Sequence, residues 1–529
     1  MNRFRFTQYT IPLLLIYLTL FGSLASATAQ DPDDSTTVKG RVFIDRDEDG
    51  RFSTGDSPFP DVRVSNGVTI VRTDPSGNYE LPLENEAIVF VIKPTGYRTA
   101  LNKLNLPMFF YIHKPNGSPN LRFPGSKPTG PIPRSVDFPL YPQTEPEQFQ
   151  VLLFGDPQPR NQTEVNYIAR DVIPELLGTP SKFGVTLGDI VFDDLAIFEP
   201  LNETVGLIGI PWYNVIGNHD LNLDAPNRKY VNETFERIYG PTYYSFDYGQ
   251  VHFIVLDTID WLPPAGDQRG KYEGRLGDAQ LKWVQQDLKE IPDSQMVVLL
   301  MHIPIRKLKD CQDLYRMIEQ RPKCISISGH VHQHEHILLG QKDGWKGKNP
   351  HHHVINVTVS GSWWSGQKDI RGIPHATMSD GAPNGYSVLS FDERGYQINF
   401  KAAGSDEQMG IRIDDTIPLN KAADYEVAVN VYNGSDKTKV RMSVDSISDW
   451  LPMEKRKEVD PWLKKLSEAE KGITPAIQPQ LSTPSPSPHL WFGKLPGNLE
   501  PGLYLLKVEA TDMHGQVFAS RQTFRITEE

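Results

Sequence analysis

From Thr37 to about Arg98, apolar and polar residues alternate in short runs. The runs "VKGRVFI", "DVRVSNG", "TIVRTDPSGNYELP" and "AIVFVIKP" are separated by Gly, Asn and Asp. Strand side chains point to opposite faces in turn, so this period of two predicts a small β-sandwich over 36–100. The next stretch, 101–147, contains "KPNGSPNLRFPGSKPTGPIPRS". Its prolines and glycines exclude regular helix and predict an extended connector.

Over 148–403 the texture changes to apolar runs alternating with helical patterns. In "GDAQLKWVQQDLKEI", Leu281, Val284 and Leu288 recur at helical spacing. The pattern predicts an α/β unit, a layered β-sandwich flanked by helices. The remainder, 404–529, returns to β structure: "YEVAVNVYNGSDKTKVRMSVD" and "GLYLLKVEATDMHGQVFASRQTFRI" each read as two strands around a turn, the second at His514-Gly515. Between them, "ITPAIQPQLSTPSPSP" reads as a solvated loop.

Length agrees with that division, since 529 residues at roughly 100 to 200 per domain imply about three domains. A formal net charge of −12 argues against nucleic-acid binding. Residues 1–29 read as a secretory signal peptide: Arg3 and Arg5 precede an apolar stretch from Ile11 to Phe21, and Ala25, Ala27 and Ala29 follow. The apolar run is shorter than the roughly 20 residues a membrane span needs. The expected location is secreted or periplasmic, with no integral membrane segment after cleavage. The two cysteines, Cys311 and Cys324, either close a short loop in that oxidising compartment or remain buried free thiols.

Five apolar runs in the middle unit end in polar residues able to bind a metal. They are "QVLLFGDPQ" at Asp156 and Gln158, "FGVTLGD" at Asp189, "WYNVIGNHD" at Asn218 and His219, "MVVLLMH" at His302, and "CISISGHVH" at His330 and His332. Continuous apolar runs suit strands buried on both faces, and ligands gather beyond the carboxyl ends of such strands. The five tips are therefore expected to converge on one site with oxygen and imidazole ligands for two metals. Gly-Asp and Gly-His pairs also occur in ordinary turns. Here all five follow an apolar strand and none lies on a helical face.

In this order the motifs resemble the calcineurin-like metallophosphoesterases, whose signature is Asp-x-His, Gly-Asp, Gly-Asn-His-Asp/Glu, a lone His and Gly-His-x-His. The resemblance implies one metal on Asp156, the Gln158 position, bridging Asp189 and His332. It implies a second on Asp189, Asn218, His302 and His330, and places His219 beside the leaving group. The implied reaction is hydrolysis of a phosphomonoester or phosphodiester, through attack of a metal-bridging hydroxide with His219 as general acid. Relatives support that histidine with an Asp three residues after the bridging one; here the position is Phe192, followed by Asp193 and Asp194.

Gln158 departs from the pattern. Its amide oxygen is a weaker transition-metal ligand than imidazole, which loosens the first site or favours a harder ion such as Mn²⁺ over Fe or Zn²⁺. A "DPQ" subgroup of the superfamily shares this feature, and "GPTYYSFDYGQVHFIVLD", "SGSWWSG" and "DGAPNGY" resemble its other segments. Its secreted bacterial members carry N-terminal and C-terminal β domains. An alternative reading is a catalytically weak cell-envelope protein that binds phosphate or phosphoglycan on the same fold. The substrate expected otherwise is a phosphate ester, glycan- or lipid-linked among the options.

Two aromatic pairs, Tyr243-Tyr244 and Trp363-Trp364, lie near the tips. Flat rings beside a metal site stack on sugars or bases, or else pack in the core. The tyrosines read as core and the tryptophans as an exposed rim; Trp363, Trp364 and Tyr244 are the candidate substrate residues. His334, His336, His351, His352, His353 and His375 read as surface or supporting residues, none needed to complete the ligand set. In the first unit, "DRDEDGRFSTGD" places Asp45, Asp47, Asp49, Gly50 and Asp56 at positions one, three, five, six and twelve of a calcium loop. The preceding run reads as strand, so the loop resembles those of bacterial surface β-sandwich repeats; the alternative is an acidic surface turn without calcium.

Overall fold

The computed structural model describes residues 37–263 and 270–528. The signal peptide expected over 1–29 lies outside them.

The first unit is built on two sheets. Thr37–Ile44 pairs antiparallel with Asn78–Pro82 and Ser57–Pro58, and parallel with Phe138–Pro142. The second sheet runs in the order Phe110–His113, Ala87–Val91, Arg63–Ser65, Ile70–Arg72. The stretch expected to be only a connector thus returns a strand to each sheet. Proline concealed this: Phe138–Pro142 reads "FPLYP", and proline is tolerated in a strand only where its missing N–H is not needed.

Two sheets form the middle unit. The five-stranded one has the order Trp212–Val215, Phe183–Leu187, Phe149–Phe154, Gly385–Asp392, Gly395–Ala402. The first three are parallel to one another and the last two join antiparallel. The six-stranded one runs Tyr244–Tyr248, Val251–Val255, Met296–Leu300, Cys324–Ser328, His351–Ile355, Glu335–Leu339, with four central parallel strands. Rings from the two sheets interlock: Tyr213 stacks on Phe246 at 4.1 Å, and Phe183 meets Phe253 edge-on at 5.2 Å. Val185, Leu187, Val215 and Leu299 are wholly buried between layers, each worth about 1.5 to 3 kcal/mol. The helix Asp278–Lys289 buries Leu281, Val284 and Leu288 as their spacing predicts. This is the expected layered α/β architecture.

The first unit is fastened to the middle one by buried charge. Arg63 reaches Asp247 at 2.6 Å and Asp287 at 3.1 Å. His252 lies between the same carboxylates, at 2.7 and 2.8 Å.

Beyond residue 404, a four-stranded and a five-stranded sheet enclose a core that includes Val429, Met442, Trp491, Leu506 and Phe524. The expected solvated loop is exposed along much of its length and also touches the middle unit. Pro479 O accepts from Gly366 N at 3.1 Å, Ser482 Oγ meets Ser362 Oγ at 2.7 Å, and Gln333 Nε2 donates to Ser485 Oγ at 2.5 Å. Proline and serine keep the strap extended while its carbonyls and hydroxyls find partners on the neighbouring surface. Cys311 and Cys324 are both free thiols, and burial pushes the Cys324 thiol up to about 12.

Candidate metal centre

The three parallel strands Phe149–Phe154, Phe183–Leu187 and Trp212–Val215 end at one edge, and turns after them present Asp156, Gln158, Asp189, Asn218 and His219. From the facing sheet, Met296–Leu300 and Cys324–Ser328 present His302, His330 and His332. The turns are tight. Asp156, Gln158, Asp189, His330 and His332 have φ of 37°, 39°, 48°, 76° and 54°. Left-handed backbone costs a non-glycine residue on the order of 1 kcal/mol and clusters where a site over-determines it. Gly188 and Gly217 have no freedom to vary. A Cβ on Gly188 would lie 2.5 Å from His302 Nδ1, and one on Gly217 would lie 2.0 Å from Asp189 N.

Hydrogen bonds fix which atom each ligand presents. His302 Nδ1 donates to Leu187 O at 2.8 Å and His332 Nδ1 donates to Gly361 O at 2.5 Å, so each turns Nε2 inward. His302 Nε2 lies 3.2 Å from Asp189 Oδ2, 3.1 Å from Asn218 Oδ1 and 3.2 Å from His330 Nδ1. His332 Nε2 lies 3.5 Å from Asp156 Oδ2. Asp156 is wholly buried and accepts the His330 N–H at 2.7 Å. Gln158 Nε2 donates to Asp189 Oδ2 at 2.8 Å, while its Oε1 is buried without a partner.

This donor set fits metal ions. Ligand atoms of Asp189, His302 and His330 lie within 4.8 Å of one another, and the orphaned Gln158 oxygen is an acceptor that a cation satisfies. Mixed imidazole, carboxylate and amide donors suit divalent transition ions. Burial, helped by the charge on His302, depresses His330 to about 3; burial depresses His332 to about 4. Both rings are therefore neutral, the form that binds metal. Burial raises Asp156, reinforced by Asp189 beside it.

Two supporting residues were not singled out in the sequence, and a third, Asp193, was named there without a role. Asp220 accepts from Gly217 N at 2.8 Å, Val191 N at 3.1 Å and Ile190 N at 3.2 Å, tying the Gly-Asp and Gly-Asn-His turns together. It is the last letter of "GNHD", so the signal was present. Asp193, at φ 60°, places Oδ1 2.7 Å from His219 Nδ1, leaving Nε2 of that ring for chemistry. Burial opposes charge on His219, but Asp193 and Asp189 outweigh it and hold the imidazole above its ordinary value. Arg160 donates from Nη2 to Trp363 O at 2.6 Å.

Of the aromatic candidates, Trp363 is half-buried and stacks on His332 at 4.1 Å. Trp364 and Tyr244 are buried: Trp364 Nε1 donates to Pro157 O at 3.1 Å, and Tyr244 Oη donates to Asn214 O at 3.1 Å. His375 is half-buried against Glu470 at 2.8 Å. The other five flanking histidines are core residues, not surface ones. Tyr396 Oη donates to His352 Nδ1 at 2.7 Å, His352 Nε2 to His336 Nδ1 at 2.9 Å, and His336 and His334 Nε2 both to Asn433 Oδ1 at 2.9 Å. In the first unit, Asp45, Asp47 and Asp49 gather within 4.8 Å. Asp56 closes the loop, its oxygens accepting from Arg46 N at 3.0 Å and Ser53 N at 2.7 Å.

Three family models match the chain in succession: "N terminal of Calcineurin-like phosphoesterase" over 46–127, "Calcineurin-like phosphoesterase" over 149–334, and "C terminal of Calcineurin-like phosphoesterase" over 353–518. The chain belongs to the calcineurin-like phosphoesterases. That family comprises hydrolases of phosphoric ester bonds and implies divalent metal ions, for which this phosphoesterase has the donor groups just described. A curated relative, "Probable glycerophosphodiester phosphodiesterase GpdQ" of Arcobacter nitrofigilis, is 24% identical over 139 residues. The match covers 26% of this phosphoesterase and 46%, about half, of the relative's length. A solved purple acid phosphatase, PPD1 from yellow lupin (Lupinus luteus) seeds, overlays with a TM-score of 0.36 at 14% identity, covering 66% of this chain and 68% of that one. So slight an overlay bears on nothing further. Among the described residues, no helix is long and apolar enough to cross a membrane.

Proposed function

We propose that this protein is a secreted or periplasmic metal-dependent hydrolase of phosphate esters, with phosphodiesters favoured over monoesters. The observation that carries the reading is the meeting of Asp156, Gln158, Asp189, Asn218, His302, His330 and His332 at one edge, with His219 beside them on its own carboxylate. The leader-like N-terminus supports the location, and similarity over 139 residues to a probable glycerophosphodiester phosphodiesterase supports a diester.

Asp156, Gln158, Asp189 and His332 would hold one ion, and Asp189, Asn218, His302 and His330 the other, with Mn, Fe or Zn as candidates. Bound there, the ions would draw charge from the phosphate oxygens and acidify a water for attack on phosphorus. The Leu187 and Gly361 carbonyls keep the two Nε2 ligands aimed inward before substrate arrives. His219 holds a proton on Nδ1 against Asp193 and uses Nε2 to protonate the departing alkoxide. The Asp189 carboxylate accepts the His219 backbone N–H at 2.9 Å, so ligand and proton donor keep a fixed spacing.

Purified protein loaded in turn with Mn²⁺, Fe²⁺ and Zn²⁺ is expected to hydrolyse bis(p-nitrophenyl) phosphate, and to do so faster than p-nitrophenyl phosphate. Asp189→Ala and His219→Ala should remove that turnover. A folded protein with elemental analysis confirming bound metal, yet no turnover of either ester, would sink the reading.

A further inference from the structure

Three rings stand against three histidines of the centre. Trp363 stacks on His332 with centroids 4.1 Å apart and planes at 29°; Phe192 stacks on His219 at 4.4 Å and 24°. Tyr272 meets His330 edge-on at 6.0 Å and 82°. They come from separate elements: the turn after Asp189, the hairpin of Ile259–Leu262 with Lys271–Gly274, and the turn that follows residue 360. None is closed into the core. Trp363 and Phe192 are half-buried and Tyr272 is 38% exposed, whereas Trp364 next door is wholly buried.

Trp363 is also held at a conformational cost. Its φ of 55° is one that a bulky L-residue seldom adopts, and the Arg160 guanidinium clamps its carbonyl at 2.6 Å. Strain of this kind collects at ligand clamps. One face of this ring and one of Phe192 are taken by histidine, and each ring stays partly exposed beside the polar site. Such surface stacks on planar groups of any sequence or substituent. A glycerol or methyl ester has no face to offer it.

We infer that the site selects phosphodiesters carrying a planar aromatic group, a nucleoside base or an aryl ring, with the retained arm against Trp363 and Tyr272 and the leaving arm against Phe192. This deepens the phosphoesterase reading and rests on it for turnover. A series with a common p-nitrophenyl leaving group and a phenyl, thymidyl, methyl or glyceryl second arm keeps the chemical step constant. KM is expected to be about 10-fold lower for the phenyl and thymidyl arms. A gap between phenyl and thymidyl separates an aryl site from a nucleoside site.

Trp363→Ala should reduce the aromatic-over-methyl ratio of KM from about 10 to about 1, Tyr272→Ala should reduce it about 3-fold, and Trp363→Phe should restore it. Equal KM for all arms in the parent protein, or an undiminished ratio in both alanine variants, overturns the inference. If Trp363→Ala loses its cooperative thermal transition, Tyr272→Ala, at an exposed position, decides alone. Quenching of tryptophan fluorescence gives a reading without turnover: Mn²⁺-loaded protein should bind diphenyl phosphate about 10-fold more tightly than dimethyl phosphate. That preference without hydrolysis would retain the aromatic site and discard the phosphoesterase reading; hydrolysis without the preference would do the reverse.

Discussion

Asp193 Oδ1 lies 2.7 Å from His219 Nδ1, while Phe192, one residue earlier, stacks on the same imidazole at 4.4 Å. The position expected to carry the supporting carboxylate is thus a ring, and the carboxylate arrives from the next residue through a left-handed turn at φ 60°. One neighbour fixes the plane of the imidazole and the other fixes its tautomer.

Asp193→Asn keeps an acceptor for Nδ1–H but removes the charge that stabilises the imidazolium. It is expected to lower kcat about 10-fold, and Asp193→Ala about 100-fold, within the range for general acid catalysis. Metal content by elemental analysis should not change, because the Asp193 carboxylate is engaged by His219 Nδ1 at 2.7 Å and is not one of the proposed ligands. An Asp193→Ala enzyme with undiminished kcat would remove the carboxylate from the mechanism.

Gln158 is the other position where chemistry and pattern part. Its Nε2 is fixed on Asp189 Oδ2 at 2.8 Å, which would leave Oε1, without a partner among the described residues, as the atom offered to a metal. Gln158→Ala removes both the donor and the orienting bond, so affinity at the first site should fall about 10- to 100-fold. Gln158→His should raise that affinity. Elemental analysis after dialysis against a graded chelator reads both; identical metal content in the three proteins would mean that Gln158 is not a ligand.

The five strand tips were legible because their chemistry is local. An apolar run buried on both faces must end before a carboxylate or imidazole can be met, and glycine marks the bend, as Gly188 and Gly217 do. Asp193 was not legible, since which of Phe192, Asp193 and Asp194 meets His219 depends on one positive φ. Phe138–Pro142 hid behind its prolines, and the strap near Pro479 has the composition of a solvated loop. The histidine array was misread for a related reason. A buried neutral imidazole needs one donor and one acceptor, and His352 and His336 find theirs through Tyr396 and Asn433, both remote in sequence.

That array predicts how stability depends on pH. Burial depresses His336 to about 4 and His351 to about 3, and holds His352 and His353 well below 6.5. Below pH 6.5 the unfolded chain gains protons that the folded protein refuses, so each histidine lowers stability by about 1.4 kcal/mol per pH unit as the medium acidifies toward its folded value. His252 acts in the opposite sense. Burial opposes its charge, but Asp287 and Asp247 outweigh burial and hold it above 6.5. Its contribution is full below 6.5 and is lost as pH rises through the folded value. His219 and His302 share that sense, as do the burial-raised carboxyls of Asp156, Asp220, Asp257 and Glu236, whereas His113, His330, His332, His334 and His514 are depressed with the array, nine depressed groups against these seven raised. The thermal midpoint is therefore expected to fall steadily from pH 7 to pH 5, and His351→Gln, which keeps an amide partner for Ser326 Oγ (2.8 Å from the ring), should flatten the decline by about one proton's worth, about 1.4 kcal/mol per pH unit. A difference in stability between parent and His351→Gln that stays constant across that range would mean that the His351 imidazole reaches solvent and titrates as in the unfolded chain.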